Sequence, residues 1–318
     1  MPDPAAAFGL EPVQAGSPLH SVVILHGIRQ TQADMKGFAN KIAADLRGPA
    51  VFTYGYDHTR SLEHNGRLLF QHLERALPRG RIDLVGYSMG GLVARLGASE
   101  RPRSNIHTVV TLATPNRGSL SNAELTTLGQ LGRKALEVIS PILPRSEGVK
   151  DLTKARGIMR KRRKRLLEAD DTFQFEPGER RYVSIPALWY SDDKADFEPG
   201  PSMAMAGVVA AFKVAALKFR LEEMEKSHDG IVTEASNNLT TQRGNDWAEF
   251  HLATPGSAGE PELCHAVIDV CDQHDHMSIV REDAVTRLIC ALLETPDWRD
   301  LKRRHPRLIH ARLHPFAV

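Results

Sequence analysis

Apolar, often β-branched runs alternate along this chain with stretches whose apolar residues recur every three or four positions. The runs at residues 20–25, 51–54, 82–85, 106–112, 182–185 and 265–270 predict buried strands, because a short continuous apolar run fits a strand covered on both faces. Met35, Phe38, Ile42 and Leu46 share one face of a helix predicted over residues 32–46. Similar spacing predicts helices over 62–77 and 283–293, and another starting at Leu92, Val93 and Ala94. Strands alternating with helices give an α/β fold: a mostly parallel central sheet with helices on both faces. Reactive groups in such sheets collect at the carboxyl ends of the strands.

Two stretches, about 119–179 and 191–226, break the alternation. Both are mostly helical by pattern and supply no obvious strand, so they are expected to be insertions over the carboxyl edge of the sheet, where a lid would sit. In the second, Met205, Val208, Phe212, Ala215 and Phe219 form an apolar stripe at helical spacing. Such a stripe either packs on the domain or lines a groove for an apolar chain. Residues 1–19, rich in Pro, Ala and Gly, read as a flexible lead-in, which leaves 20–318 as one domain carrying both insertions.

Composition narrows the class. With 318 residues, 42% hydrophobic and 25% charged, the chain can bury the core of a large α/β domain. A formal net charge of +2 and 6% aromatic residues argue against a globally basic, base-stacking nucleic-acid binder. The first residues lack a basic n-region and an apolar h-region, and no apolar run approaches the ~18 residues of a membrane span. Cys264, Cys271 and Cys290 are odd in number and lack zinc-ligand spacing, so free thiols in a reducing compartment are expected. A cytoplasmic location follows as the expectation, with export by a signal-less route still compatible. The run Arg160, Lys161, Arg162, Arg163, Lys164, Arg165 reads either as a solvated helix face or as a contact to anionic lipid headgroups, where each basic residue contributes about 1 kcal/mol.

The chemistry centres on residues 81–95, which read as buried strand, glycine-flanked serine and helix. Gly86 and Gly90 on either side of Ser88 let the strand and helix approach closely around a sharp turn, the G-x-S-x-G pattern of a nucleophile elbow. A serine hydroxyl needs a base, a carboxylate to hold that base, and donors for the developing oxyanion. The backbone N–H of Met89 is the expected first donor. The loop after the first strand, with Gly27 permitting the turn, offers that of Ile28. His26 is expected to support this loop by hydrogen-bonding its backbone. Asp229, before a glycine turn, is the favoured carboxylate over Asp192 and Asp193. His276, at the start of an apolar helix, is favoured over His274 as the base. A metal held by His274, Asp275 and His276 lacks further ligands at suitable spacing and is disfavoured.

In these segments the chain resembles the lipase-like α/β-hydrolases, close to bacterial lipases and to GPI inositol-deacylase-type hydrolases. The likeness is carried by residues 24–28, 86–91, the Thr114-Pro115-Asn116-Arg117-Gly118-Ser119 element, 229–232 and 275–280. It implies a serine hydrolase acting on carboxylic esters, lipid-like or acyl, with the chain order Ser88, Asp229, His276 and no cofactor. It also implies a lid-bearing insertion before the aspartate, which supports Asp229 over Asp192; in the lid reading of the apolar stripe, Met205, Phe212 and Phe219 would line an acyl-chain groove. Thioesterase, acyltransferase and peptidase chemistry use the same triad, and a non-catalytic interaction protein on this scaffold is the reading from another class. Epoxide hydrolases and dehalogenases are disfavoured, since those members of the fold carry an aspartate where Ser88 stands.

Overall fold

A computed structural model describes residues 8–100, 105–116, 147–152, 181–187, 232, 237, 262–268, 276–295 and 311–315. Eight strands form one sheet: β1 (Gly9–Gln14), β2 (Ser17–Leu25), β3 (Pro49–Gly55), β4 (Arg81–Tyr87), β5 (Ile106–Leu112), β6 (Arg181–Ile185), β7 (Glu262–Ile268) and β8 (Ala311–Pro315). Their spatial order is β1-β3-β2-β4-β5-β6-β7-β8. The inner strands, β3 to β7 in that order, pair in parallel, while β1 and β8 close the two edges antiparallel. The helices are α1 (Lys36–Asp45), α2 (Leu62–Ala76), α3 (Met89–Ala98), α4 (Glu147–Leu152) and α5 (Asp283–Glu294). This is the α/β architecture that the alternating pattern predicts.

Two apolar clusters cover the two faces of the sheet. Successive strand side chains point to opposite faces, so Val22 and Ile24 of β2 join one cluster while Val23 and Leu25 join the other. On the first face lie Phe38 and Ile42 of α1 with Val285, Leu288 and Leu292 of α5. On the second lie Leu62, Leu69 and Leu73 of α2 with Leu92, Val93 and Leu96 of α3. The helix predicted over 32–46 opens as a 3-10 turn, Gln32–Met35, before α1. Thr31 and Asp34 fix that start: the Thr31 N–H and hydroxyl both donate to the Asp34 carboxylate, at 2.7 and 2.9 Å.

One expectation is corrected. Where a flexible lead-in was expected up to residue 19, the chain forms β1 and already enters β2 at Ser17. The Pro and Gly content that signals loop is accommodated because β1 is an edge strand: Pro12 lies where its register with β3 shifts, a place that tolerates a missing N–H. Most of both insertions lies outside the described residues. The part of the first that is described, α4, sits on the loop between β3 and α2: Gly148 N–H donates to Thr59 O at 3.3 Å, and Leu62 N–H at the start of α2 donates to Asp151 Oδ2 at 2.9 Å.

At the amino end of the sheet, Asp83 of β4 is fully buried. Its carboxylate meets His20 Nε2 at 2.7 Å and Arg81 Nε at 2.9 and 3.1 Å, with His107 Nδ1 at 3.6 Å. Arg81 Nη2 also donates to Leu293 O, near the C-terminus of α5, at 2.8 Å. Burial alone would raise the Asp83 pKa. The nearby His107 ring, the hydrogen bond from His20 and the Arg81 guanidinium outweigh it and hold the carboxyl well below the usual range.

Because the folded pKa lies below the unfolded value of about 3.9, the stability linked to Asp83 is fully present above that pH and is lost as pH falls below it. Thermal unfolding from pH 5 down to 2 should show Tm falling steeply below about pH 4. Asp83→Asn should lower stability at pH 7 by about 2 kcal/mol and flatten that fall. Asp151→Ala, by removing an acceptor from the first turn of α2, should cost about 1 kcal/mol in chemical denaturation.

Candidate active site

The site lies where β4 ends. Tyr87 closes the strand, Ser88 turns, and Met89 opens α3. Ser88 adopts φ 52° and ψ −123°, a conformation that is costly for a residue with a Cβ. Three described non-glycine residues have positive φ, namely Arg29, Ser88 and Ala113. They follow β2, β4 and β5, so the backbone strain gathers at the carboxyl edge of the sheet. The flanking glycines make the turn possible. A Cβ on Gly86 would fall 2.5 Å from Gly90 C, and one on Gly90 would press on the Leu25 carbonyl oxygen at 2.8 Å and on that of His26. End of β2, end of β4 and start of α3 therefore meet at backbone distance.

The Ser88 hydroxyl and His276 imidazole come together across 188 residues of sequence: Nε2 lies 2.9 Å from Oγ. Both side chains are buried. The distance suits a hydroxyl donating to an unprotonated ring nitrogen. His276 starts the turn that leads through Ile279–Arg281 into α5. Ser88 is anchored by its own N–H, which donates to Leu112 O at 2.8 Å.

The loop after β2 packs against this elbow. His26 is buried, its Nδ1 lies 2.8 Å from Gly27 O, and its Nε2 accepts from Tyr56 N–H at 3.3 Å. Those partners fix the tautomer with the proton on Nδ1. Burial lowers its pKa to about 4, so the ring is neutral near pH 7. Tyr56 stacks on it at 4.2 Å and donates its hydroxyl to His26 O at 2.8 Å. With both nitrogens engaged in the loop, His26 is scaffold. Gly27 N–H is taken by Gln30 Oε1 at 2.8 Å, Ile28 is partly buried against the second apolar cluster, and Met89 is fully buried. The described part of the first insertion reaches the same corner: a Cβ on Gly148 would fall 2.8 Å from Met89 Cε.

Asp229, Asp192, Asp193 and His274 lie outside the described residues, as do Met205, Phe212, Phe219 and the Arg160, Lys161, Arg162, Arg163, Lys164, Arg165 run. Among the described residues, no group of three or more His, Cys, Asp or Glu is arranged to hold a metal ion. Cys290 is a buried thiol pushed up to about 12 by burial, remote in chemistry from a nucleophile.

Two features escape a reading of the sequence. Tyr87, the variable residue of the elbow pattern, donates its hydroxyl to the backbone carbonyl of His276 at 2.7 Å. Asn116, in the loop after β5, accepts from the fully buried Arg95 of α3 at 2.8 Å and donates to Thr111 Oγ1 and Asn237 O at 3.2 and 2.7 Å. Asn237 in turn donates to Thr114 O at 3.1 Å. The Thr114-Pro115-Asn116 element singled out by its sequence thus ties α3 to the chain that returns from the second insertion.

A strand, a serine in a left-handed turn and a helix stand in a mostly parallel sheet covered by helices on both faces, with a histidine brought to that serine from the turn before α5. The chain has the α/β-hydrolase fold. The profile of the PGAP1-like alpha/beta domain family matches residues 57–131, which contain the elbow. The chain is 31% identical over 111 residues to the lysosomal thioesterase PPT2 homolog of Drosophila melanogaster, a match covering 33% of this chain and 38% of that protein. Its fold is similar to that of the Bacillus licheniformis lipase BlEst2 in propeptide form, with a TM-score of 0.54 at 17% identity, covering 90% of this chain and 52% of the lipase. It is also similar to the phospholipase PlaB of Legionella pneumophila, with a TM-score of 0.54 at 12% identity, covering 93% of this chain and 68% of that one. The chain therefore spans about half or less of the PPT2 homolog and of the propeptide-form lipase.

The depressed pKa of His26 has a measurable consequence. The unfolded ring binds a proton near pH 6.5 and the folded ring only near 4, so stability falls as pH drops through that window and is insensitive to His26 above it. An NMR titration of the histidine ring protons should find one midpoint near 4 that disappears in His26→Gln. The same variant should lose part of the stability slope between pH 6.5 and 4.

Proposed function

We propose that this α/β-hydrolase is a serine esterase that cleaves carboxylic esters, lipid-like or acyl, through an acyl-enzyme. The observation that carries the reading is the 2.9 Å approach of His276 Nε2 to Ser88 Oγ at a strained turn. Strain of this kind persists when the surrounding structure over-determines it, and it clusters at reactive residues. His276 takes the Ser88 proton as Oγ attacks the acyl carbonyl, and the oxygen becomes an oxyanion. The Met89 and Ile28 backbone N–H groups stabilise that charge, helped by the N-terminus of α3. His276 then gives its proton to the leaving alcohol, and water releases the acid by the same route in reverse. Asp229 holds the imidazole orientation and stabilises its positive form. No step needs a metal or an organic cofactor.

The insertions supply the substrate side of the proposal. Met205, Phe212 and Phe219 form the apolar wall against an acyl chain, and methionine suits a wall that must adapt. The basic run from Arg160 to Arg165 meets anionic headgroups. One observation favours a second reading, acyl thioester cleavage: the relative in Drosophila melanogaster is named a thioesterase. The triad serves either leaving group, so the substrate decides.

Ser88→Ala should lower p-nitrophenyl ester turnover by about a millionfold, to the detection limit, and abolish labelling by a fluorophosphonate probe. Retained labelling would refute the assignment. Turnover measured across esters of increasing chain length, phospholipids and acyl thioesters separates the esterase from the thioesterase reading.

A further inference from the structure

We infer that Tyr87 is a positioning residue for the reaction, setting the His276 imidazole and the loop after β2 in register with Ser88; the inference rests on the reading of Ser88 and His276 given above. Tyr87 is the last residue of β4, so its backbone is fixed by the same strand that presents Ser88. Its ring is 2% exposed. One flank of the ring lies against the loop after β2: a Cβ on Gly27 would fall 3.0 Å from Tyr87 Cε1 and 3.1 Å from Cδ1. The His276 ring is also beside it, with ring centroids 5.3 Å apart and planes inclined by 39°. The hydroxyl at the tip donates to His276 O at 2.7 Å and passes 3.6 Å from Met277 Sδ.

That arrangement has a mechanical meaning. His276 belongs to a turn, not to a regular element, and its carbonyl is tied to β4 through the Tyr87 hydroxyl. A buried hydroxyl-to-carbonyl hydrogen bond from the neighbour of the nucleophile supplies the tie. Any displacement of the histidine turn relative to β4 stretches this bond at the same time as the Ser88–His276 contact. The absence of a side chain at Gly27 leaves the space the ring needs, so the loop carrying Ile28 and the turn carrying His276 are both referenced to one rigid aromatic side chain. Phenylalanine would fill the same volume and keep the contact with Gly27. It would leave the His276 carbonyl without this donor.

The test is Tyr87→Phe in the full chain, with active sites counted by the endpoint of fluorophosphonate labelling. Turnover per labelled site on a p-nitrophenyl ester should fall by about 10- to 100-fold with KM within about twofold, and the labelling rate constant should fall in parallel. A purely structural loss would reduce the number of labelled sites and leave turnover per site unchanged. Unchanged turnover per site and unchanged labelling rate would overturn the inference. If Tyr87→Phe gives too little folded protein, Gly27→Ala presses on the same ring with the hydroxyl intact; slowed labelling supports the role of the ring and an unchanged rate overturns it. Labelling that survives Ser88→Ala would instead defeat the underlying reading of the nucleophile, so the two failures are distinguishable.

Discussion

Ser88 sits in a left-handed turn between a strand and a helix, and the backbone contacts that hold it there constrain everything around it. A residue with a Cβ does not stay at φ 52° unaided. Here the strand is fixed by parallel pairing on both sides, to β2 and to β5. The helix is fixed by apolar packing against α2 and the sheet. The Ser88 N–H is held by Leu112 O. Once these are set, Gly86 and Gly90 can carry no side chain, because each Cβ would enter backbone already in place. The strain is thus a consequence of closing the fold, and the Ser88 hydroxyl is presented from a turn set between a paired strand and a packed helix.

The two ends of the sheet use burial of ionisable groups in opposite ways. At the carboxyl end His26 is buried neutral, and both ring nitrogens are used to shape a loop; burial lowers its pKa, so charging it works against the fold. At the amino end Asp83 is buried charged, and it is tolerated because His20, His107 and Arg81 surround it. Burying an ion without partners would be far more costly than either arrangement. The Arg81 bond to Leu293 O extends the ionic group around Asp83 to the C-terminus of α5, the helix that follows the His276 turn. The strand leading to Ser88 and the helix leading away from His276 are therefore joined at the end remote from the chemistry as well as at the site itself.

Strands β2 to β6 were legible in the residues because strands buried on both faces read as near-continuous apolar runs; β5 occupies the predicted 106–112 without change, while β7, predicted over 265–270, runs from Glu262 to Ile268. The edges were not. β1 reads GLEPVQ and β8 reads ARLHP, and an edge strand needs neither a continuous apolar run nor freedom from proline. Ser88 and His276 were legible as a pair because the glycine pattern and the apolar helix start mark their local settings. The contact of Tyr87 with His276 was not, because it crosses 189 residues and depends on a hydroxyl whose position in the elbow pattern admits other side chains. Arg95 was equally opaque: in sequence it is one more helical cation, and only the fold takes its exposure to zero.

That buried arginine explains what the loop after β5 does. A guanidinium inside the domain requires acceptors, and Asn116 provides two, its side-chain oxygen at 2.8 Å and its backbone carbonyl at 3.3 Å. The Asn116 amide is then turned so that its NH2 group reaches Thr111 Oγ1 and Asn237 O. One side chain consequently holds the helix that begins after Ser88 on one side and the chain returning from the second insertion on the other. Asn237 lies eight positions after Asp229, so the network fixes a point close in sequence to the carboxylate assigned to orient His276.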